Sequence, residues 1–264
     1  MGAVSEFIRE LQAYEEFVFS RDEVSLKTSA PESSIKKELA RLVSDNQIIN
    51  IRKGFYIILP PRYQHYGKLP IELYVNKLFR MLNKQYYIGF FSAATFHGAA
   101  HQKIQQDYVI TTPPALRNIA KENIRIRFFN IANWPSENII QSKSDAGYFK
   151  LSSPVLTFAD LIDNQGNLGG LSRIITVLEE LSEVLELEDM ETFLTWYQNK
   201  SVLQRMGYLL EKMGVTRDFT KMVLEHLRKK AFYPTLLSPR KEEKAGSTGN
   251  RWKVVVNTEL ESDL

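Results

Sequence analysis

The sequence predicts an α+β protein in which a small N-terminal domain of helices and a hairpin precedes a larger mixed α/β domain with a mostly helical C-terminal half. Three observations carry this prediction. Apolar residues recur at helical spacing over the first 45 positions, and two Ile-rich strand patterns follow them. After Pro60-Pro61 the pattern changes to strand-like stretches and then to a helical block over about 170–230. We expect domains at 1–66 and 67–264.

The composition describes a protein with a large core. The chain has 264 residues, of which 44% are hydrophobic and 25% charged, and this length suits one or two domains. The absence of cysteine excludes disulfides and thiolate chemistry. No apolar run approaches the roughly 18–20 residues that span a bilayer, and the N-terminus does not have the pattern of a signal peptide. We therefore expect a cytoplasmic protein without a membrane partner.

The charge is unevenly distributed along the N-terminal domain. Residues 1–33 hold three basic and seven acidic side chains, whereas residues 34–69 hold seven basic and two acidic ones. This change of sign gives the domain a positive side, which is typical of nucleic-acid binding and also of an ordinary solvated face. Charge alone leaves both interpretations open.

The first 45 residues predict three helices. The first covers about 4–14, and a short extended stretch, FVFS, follows it. Ser20 and Glu23 form the S-x-x-E pattern of a capping box, and Ser29 and Glu32 repeat the pattern around Pro31. The third helix should end near Asp45. Two capped helices joined by a few residues predict a helix-turn-helix.

The third helix has two distinct faces. Its buried stripe should consist of Ile35, Leu39, Leu42 and Val43. The opposite face carries short polar residues first and cations further along, namely Ser33, Ser34, Lys36, Lys37 and Arg41. A surface of this kind can approach phosphates and base edges in a major groove.

A β-hairpin should follow the third helix directly. QIINI and FYIIL are strand-like, and Arg52-Lys53-Gly54 lies between them, where glycine can supply the positive φ of a tight turn. A basic hairpin tip beside a groove-reading helix is the design of a winged helix-turn-helix, whose wing contacts neighbouring phosphates.

The remaining chain predicts further elements without a repeat. A helix is expected over about 70–83, then a buried stretch and a small-residue helix in YYIGFFSAATFHGAA. DYVITTPP, IRIRFFNI and GYFKLSS predict three strands, Ser153-Pro154 opens another helix, and RWKVVVN predicts a late strand. Gly207 and Gly214 lie in or beside a helical stretch, where close packing by another element would offset the cost of glycine.

Catalytic patterns are weak in this sequence. His97 and His101 are four residues apart, but they lack the glutamate of an H-E-x-x-H site and a third ligand, so we expect no metal. Asp107 before a strand faintly suggests a nuclease core, yet no E-x-K pair accompanies it. The sequence favours a binding protein that is not an enzyme and needs no cofactor.

The order of these segments resembles a known family. The winged helix, the Pro-bounded linker, YYIGFFSAATFHGAAHQ, LQRMGYLLEKMG and RWKVVVN look like the AbiEi-type antitoxins of type IV toxin–antitoxin systems. The resemblance covers nearly the whole chain. It implies a transcriptional repressor that binds inverted repeats of double-stranded DNA in its own promoter. It also implies an antitoxin domain that counters a nucleotidyltransferase-like toxin without a stable complex.

The resemblance also implies site residues. For DNA they are the helix from Ser33 to Arg41 and the wing, with Arg52, Lys53 and Tyr56. For the antitoxin domain they are Arg205, Gly207, Tyr208, Arg251 and Trp252. Two alternatives stay open at this point: a winged-helix regulator whose second domain senses a small ligand, and a nuclease with a DNA-targeting domain.

Overall fold

The computed structural model describes residues 2–99, 105–241 and 246–259, and it has a mixed α+β fold. The chain divides into two units. The N-terminal unit consists of Met1–Tyr87, Gln105–Ala132 and Gln141–Lys150, and the C-terminal unit of Ile88–Ile104, Asn133–Ile140 and Leu151–Leu264. These units are defined by contacts, and the domain boundary at residues 66 and 67 stays a prediction.

The helices of the described residues are α1 Ala3–Ala13, α2 Arg21–Lys27, α3 Glu32–Ser44, α4 Pro61–Gln64, α5 Val75–Met81, α6 Phe90–Phe96, α7 Pro154–Asp163, α8 Leu171–Glu183, α9 Leu187–Trp196, α10 Lys200–Lys212 and α11 Arg217–Arg228. The strands are β1 Val18–Ser20, β2 Ile48–Arg52, β3 Phe55–Ile58, β4 Tyr86–Ile88, β5 Asp107–Thr111, β6 Ile119–Lys121, β7 Ile124–Asn130, β8 Ile139–Ser144, β9 Gly147–Ser152, β10 Thr235–Leu236 and β11 Val254–Val255.

The first part of the N-terminal unit combines three helices with a small sheet. Its strands follow the order β1-β3-β2, and both pairs are antiparallel. One hydrophobic cluster joins α1, α2, α3 and the sheet through ten buried side chains: Val4, Phe7, Ile8, Phe19, Val24, Ile35, Leu39, Leu42, Ile48 and Ile58. The predicted buried stripe of α3 is thus confirmed except at Val43, which is 36% exposed.

One of the two predicted capping boxes is present. The Ser20 hydroxyl accepts a hydrogen bond from the Glu23 N–H at 3.0 Å, and Glu23 Oε2 accepts one from the Ser20 N–H at 2.7 Å. The second predicted box, at Ser29 and Glu32, was wrong. Pro31 is the N-cap of α3 and has no side-chain acceptor, so the first turn begins without a cap of this kind.

A six-stranded sheet in the order β6-β7-β5-β4-β9-β8 forms the second part of the N-terminal unit, and β4, β8 and β9 continue by one or two residues into the other unit. The strands β5 and β7 are parallel, whereas β6 and β7 are antiparallel. Predicted strands are confirmed at β5, β7 and β9. The prediction missed β6 and β8 because they are the edges of the sheet, where burial on fewer sides leaves a weak apolar pattern.

The helix predicted over about 70–83 is interrupted. A 3-10 turn at Ile71–Leu73 precedes α5, and Tyr74 between them has φ −138°, outside the helical range. The side chain of Tyr74 is buried at this break.

The C-terminal unit is mainly helical. Along α10 every residue from Val202 to Leu210 is buried, so this helix lies within the core rather than on its surface. The late strand predicted in RWKVVVN is confirmed over Val254–Val255, which pairs in parallel with β10. Among the helices that the structure describes, none is long and apolar enough to cross a membrane.

Candidate functional site

The exposed face of α3 is the first candidate surface. Ser33, Ser34, Lys36, Lys37 and Arg41 all have exposed side chains, as the pattern predicts. This face therefore presents hydroxyl groups near the start of the helix and cations over the next two turns.

Glu38 fixes the position of α3 against α1. Its carboxylate accepts hydrogen bonds from the Val4 N–H at 3.1 Å, the Ser5 N–H at 3.0 Å and the Ser5 hydroxyl at 2.7 Å. The two N–H groups are free backbone donors of the first turn of α1, whose N-cap is Gly2. A side chain on Gly2 would overlap this carboxylate, so glycine leaves the space that Glu38 occupies. Burial opposes ionisation of Glu38, but the hydrogen bonds from Ser5 and Val4 outweigh it and lower the pKa.

The cations of α3 differ in their partners. Lys36 pairs with Glu32 at 3.0 Å and Arg41 pairs with Asp45 at 3.2 Å, and all four side chains are largely exposed. Exposed pairs of this kind contribute little and separate easily. Within the described residues Lys37 has no ion pair, so it is available to an external anion without losing a partner.

The hairpin between β2 and β3 turns at Lys53-Gly54, where Gly54 has φ +78°. The Gly54 carbonyl accepts a hydrogen bond from the Arg21 N–H at 2.8 Å, which ties the tip to the start of α2. Lys53 is exposed at this tip, and the part of the chain that the structure describes offers it no ion pair.

Two of the predicted wing residues face the protein. Arg52 is half-buried: its guanidinium donates to the Arg117 carbonyl at 3.5 Å and lies 5.9 Å from the centre of the Phe128 ring. Burial, and then the charge of Arg117, lower the pKa of Arg52. Tyr56 stacks on Phe19 with ring centroids 5.3 Å apart. Lys53 is consequently the exposed cation of this hairpin tip.

Glu23 of α2 interacts with other residues of the N-terminal unit. Glu23 completes the capping box, and Lys77 of α5 lies 3.8 Å from Glu23 and 2.5 Å from Glu16. The ammonium group neutralises part of the acidic charge of residues 1–33 within the N-terminal unit.

The second candidate surface is built around α10. Gly207 faces the fully buried Trp252, and a Cβ at this glycine would overlap the indole ring. Close packing at Gly207 is thus confirmed. Gly214 serves a different purpose, because it has φ +71° after the end of α10 and no close neighbour.

Glu211 joins α10 to the segment before β11. Its Oε2 accepts a hydrogen bond from the Trp252 indole N–H and another from Arg251 Nε at 3.0 Å. The Arg251 guanidinium lies 5.2 Å from the centre of the Trp252 ring, at a distance suited to a cation–π contact. One carboxylate therefore holds two of the predicted antitoxin residues.

Arg205 is buried on another side of α10. It donates through Nε to the Leu236 carbonyl at 2.7 Å and through Nη2 to the Thr235 hydroxyl at 3.0 Å. Burial lowers the pKa of Arg205, while the Asp163 carboxylate opposes that change. Its guanidinium therefore fastens β10 to the core.

A groove of about 550 Å³ lies beside Trp252. It is lined by Tyr208, Glu211, Lys212, Ser247, Gly249, Asn250, Arg251, Trp252 and Val256. Three of the five predicted antitoxin residues line the groove, namely Tyr208, Arg251 and Trp252. Gly207 packs against Trp252 and does not line the groove. Arg205 is also outside the lining. Its exposed charges come from Lys212, Arg251 and Glu211, which suits a polar ligand or a peptide carrying an anionic group.

Sequence reasoning missed several residues that organise this region. Gln204 donates to the Trp252 carbonyl at 2.7 Å, Asn250 Oδ1 accepts from the Trp252 N–H at 3.2 Å, and Asn257 forms two hydrogen bonds with the Ser238 backbone. The partners of Gln204 and Asn257 are 48 and 19 residues away, so periodicity carries no signal for these two residues. Polar residues within an otherwise apolar stretch were the available clue.

His97, His101 and Asp107 are the side chains that the sequence raised for catalysis. His97 ends α6 and its Nε2 lies 2.8 Å from the Ser152 carbonyl, whereas His101 is outside the described residues. Burial raises the pKa of Asp107 to about 6, which Lys68 opposes and Glu72 reinforces. In the described ranges, no three or more His, Asp and Glu side chains are grouped to hold a metal ion.

Comparison with known proteins identifies the second part of the chain. Residues 87–212 match the family described as AbiEi antitoxin C-terminal domain. The crystal structure of the RV2827C protein from Mycobacterium tuberculosis has a similar fold, with a TM-score of 0.66 at 15% identity over 96% of this chain and 90% of that chain. No curated protein matches the sequence. The match over residues 87–212 supports an AbiEi-type antitoxin domain in this chain and, with it, the role of an antitoxin in a toxin–antitoxin system.

Proposed function

We propose that this antitoxin also represses transcription of its own operon through a winged helix-turn-helix over residues 2–59. The observation that carries the proposal is the combination of an exposed cationic α3 with an antiparallel β2–β3 hairpin whose tip is basic. The topology α1-β1-α2-α3-β2-β3, with β1 completing the sheet, is the arrangement expected of a winged helix.

In this proposal α3 enters the major groove of promoter DNA. Ser33 and Ser34 approach a phosphate or base edge at the start of the helix, and Lys37 and Arg41 follow along the same side. Lys36 and Arg41 exchange exposed carboxylate partners for phosphates, at little cost. Lys53 at the wing tip contacts the adjoining backbone, and Arg52 and Tyr56 hold the wing in place.

The test is retardation of the promoter fragment by the full-length protein. Lys37→Ala combined with Arg41→Ala should weaken binding by roughly 100-fold, because each lost groove contact is worth about 1–3 kcal/mol. Lys53→Ala should weaken binding of all sequences alike and flatten the salt dependence. Arg9→Ala combined with Arg80→Ala removes the same charge from exposed positions on α1 and α5 and should bind like the parent. Parental affinity of the Lys37 and Arg41 double variant would refute the winged-helix assignment.

We further propose that the antagonist is a nucleotidyltransferase-like toxin encoded beside this gene, countered without a stable complex and without catalysis by the antitoxin. The support is the AbiEi domain together with the residues that converge around Trp252. Co-expression of the neighbouring gene should arrest growth, and the full-length protein should restore it. A neighbouring gene that is harmless when expressed alone would refute this pairing.

Two alternatives can be tested separately. The 550 Å³ groove suits a regulator that senses a small polar ligand. A ligand that fills this groove and changes promoter affinity in the absence of any toxin would favour that alternative. Metal-dependent cleavage of plasmid DNA, lost in Asp107→Ala, would instead favour a nuclease.

A further inference from the structure

Cations from separate parts of the chain converge at the end of α11. We refer to five side chains as the C-terminal basic patch: Lys200, Arg228, Lys229, Lys230 and Lys253. Four of the five belong to residues beyond the AbiEi family match, which ends at residue 212. Neither operator binding by the winged helix nor the groove beside Trp252 uses any of them.

Two backbone carbonyls bring the patch together. Lys200, at the start of α10, donates its Nζ to the Ala231 carbonyl at 2.5 Å. Lys253, just before β11, donates its Nζ to the Phe232 carbonyl at 3.1 Å and lies 4.8 Å from the centre of the Phe232 ring. Each ammonium group retains donors for a second acceptor. The segment 228–233 thus receives a cation from each of two other elements.

None of the five cations of the patch forms an ion pair within the part of the chain that the structure describes. The carboxylate on the neighbouring turn, Glu225, lies 4.0 Å from Lys221. The cations of the patch also act on His226. Burial lowers the pKa of His226, and the charges of Lys229, Lys230 and Lys200 lower it further. Favourable interaction with the C-terminal end of the α11 dipole accounts for cations on α11 itself. It does not account for the convergence of Lys200 and Lys253 on the same segment.

The segment 228–233 also carries an exposed aromatic side chain. Tyr233 is 77% exposed, although Phe232 beside it is half-buried under Lys253. An aromatic side chain of this size gains nothing from full exposure to water. Among cations that attract phosphates, its face is suited to stacking with a nucleobase that is not already paired and stacked in a duplex.

We propose that the C-terminal basic patch binds single-stranded nucleic acid, with the phosphate backbone on its cations and a base stacked on Tyr233. The patch lies in the C-terminal unit, so this activity does not require α3 or the wing. Backbone contacts supply affinity without sequence readout, whereas the stacked base discriminates against duplex DNA.

The experiment measures fluorescence anisotropy of a labelled oligothymidylate of about 20 nucleotides, an oligouridylate of equal length and a duplex of unrelated sequence, with full-length protein. Lys229→Ala combined with Lys230→Ala should weaken oligonucleotide binding at least roughly tenfold at low salt and reduce the salt slope by about 1.4, or 0.7 per phosphate contact. Tyr233→Ala should weaken binding roughly fivefold or more, whereas Tyr233→Phe should retain it because the ring still stacks.

Two further double variants serve as controls for charge and for operator binding. Arg217→Ala combined with Lys221→Ala removes two exposed cations from the first turns of α11 and should leave oligonucleotide binding unchanged. Lys37→Ala combined with Arg41→Ala should weaken promoter binding by roughly 100-fold and leave oligonucleotide binding intact, which separates this proposal from operator recognition. Equal affinity of the parent and the Lys229 and Lys230 double variant would overturn the proposal. So would equal binding of duplex and single strand with no effect of Tyr233→Ala, or patch-dependent binding only to vesicles of anionic phospholipid.

Discussion

At the scale of single residues, Gly207 and Trp252 show how one position on α10 determines where the C-terminal segment can lie. The indole ring is fully buried against the glycine, and its N–H is bonded to Glu211 four residues further along the same helix. Glycine inside a helix costs about 1 kcal/mol relative to alanine. Burial of an entire Trp side chain offsets that cost.

Gly207→Ala should therefore destabilise the C-terminal unit by about 2 kcal/mol, because overpacking in a full core outweighs the better helix propensity of alanine. Urea unfolding followed by tryptophan fluorescence measures it, since Trp134, Trp196 and Trp252 all belong to this unit. Gly214→Ala, which strains a positive φ without a steric clash, should cost only about 1 kcal/mol. Equal losses for the two variants would contradict the packing argument.

Asp107 predicts a pH dependence of the N-terminal unit. Its pKa is raised to about 6 in the folded protein, from about 3.9 in an unfolded chain. Between these two pH values the folded state binds more protons than the unfolded state. The stabilising contribution of the protonated Asp107 carboxyl is therefore complete below about pH 4 and is lost as the pH rises through about 6. Asp107→Asn should stabilise the unit by roughly 2 kcal/mol at about pH 7.5 and have little effect near pH 4. Hydrogen exchange of β5 and β7 amides measures the difference, and an Asn variant with no gain at the higher pH would contradict it.

At the scale of elements, α3 is positioned by a contact with α1 as well as by its buried stripe. The Glu38 carboxylate replaces the cap that Gly2 has no side chain to provide. The β2–β3 hairpin is also positioned by two contacts. The Gly54 carbonyl accepts a hydrogen bond from the Arg21 N–H at the start of α2, and Arg52 contacts Arg117 before β6 and Phe128 in β7. The elements proposed to contact DNA are thus oriented by residues that do not contact it.

Glu38→Gln should destabilise the N-terminal unit by about 1 kcal/mol, the usual value of a helix cap. Because the folded pKa of Glu38 is lowered, its contribution is present above the unfolded value of about 4.3 and is lost as the pH falls through the folded value. The difference between Glu38→Gln and the parent should therefore shrink in acid. Thermal unfolding followed by far-UV circular dichroism measures it, with the exposed Glu10→Gln as control.

At the scale of the whole molecule, the proposed repressor and antitoxin activities use different parts of the chain. Lys37→Ala combined with Arg41→Ala should weaken promoter binding by roughly 100-fold and leave neutralisation of the toxin intact. Lys212→Ala combined with Arg251→Ala should do the opposite, because these cations line the groove in the C-terminal unit. Reporter expression and growth rescue in the same cells measure both activities. If each pair of substitutions impaired both, the activities would not be separable.

The sequence by itself determined the local elements. Capping residues, helical spacing and a glycine at the hairpin tip are short-range signals, and they placed α1, α2, α3, β2 and β3 within a few residues. The order of segments also indicated the antitoxin family, which the match over residues 87–212 bears out. These features follow from the backbone and from neighbouring side chains, which a sequence displays directly.

Only the tertiary structure decided which candidate side chains are available. Arg52 and Lys53 are adjacent and both basic, yet one is half-buried beneath Arg117 and Phe128 while the other is exposed. Arg205 and Arg251 are likewise separated, the first buried against β10 and the second beside the groove. The basic patch is assembled from residues 200, 228–230 and 253. The physical reason is the same in each case: exposure depends on partners far away in the chain, and local patterns contain no record of them.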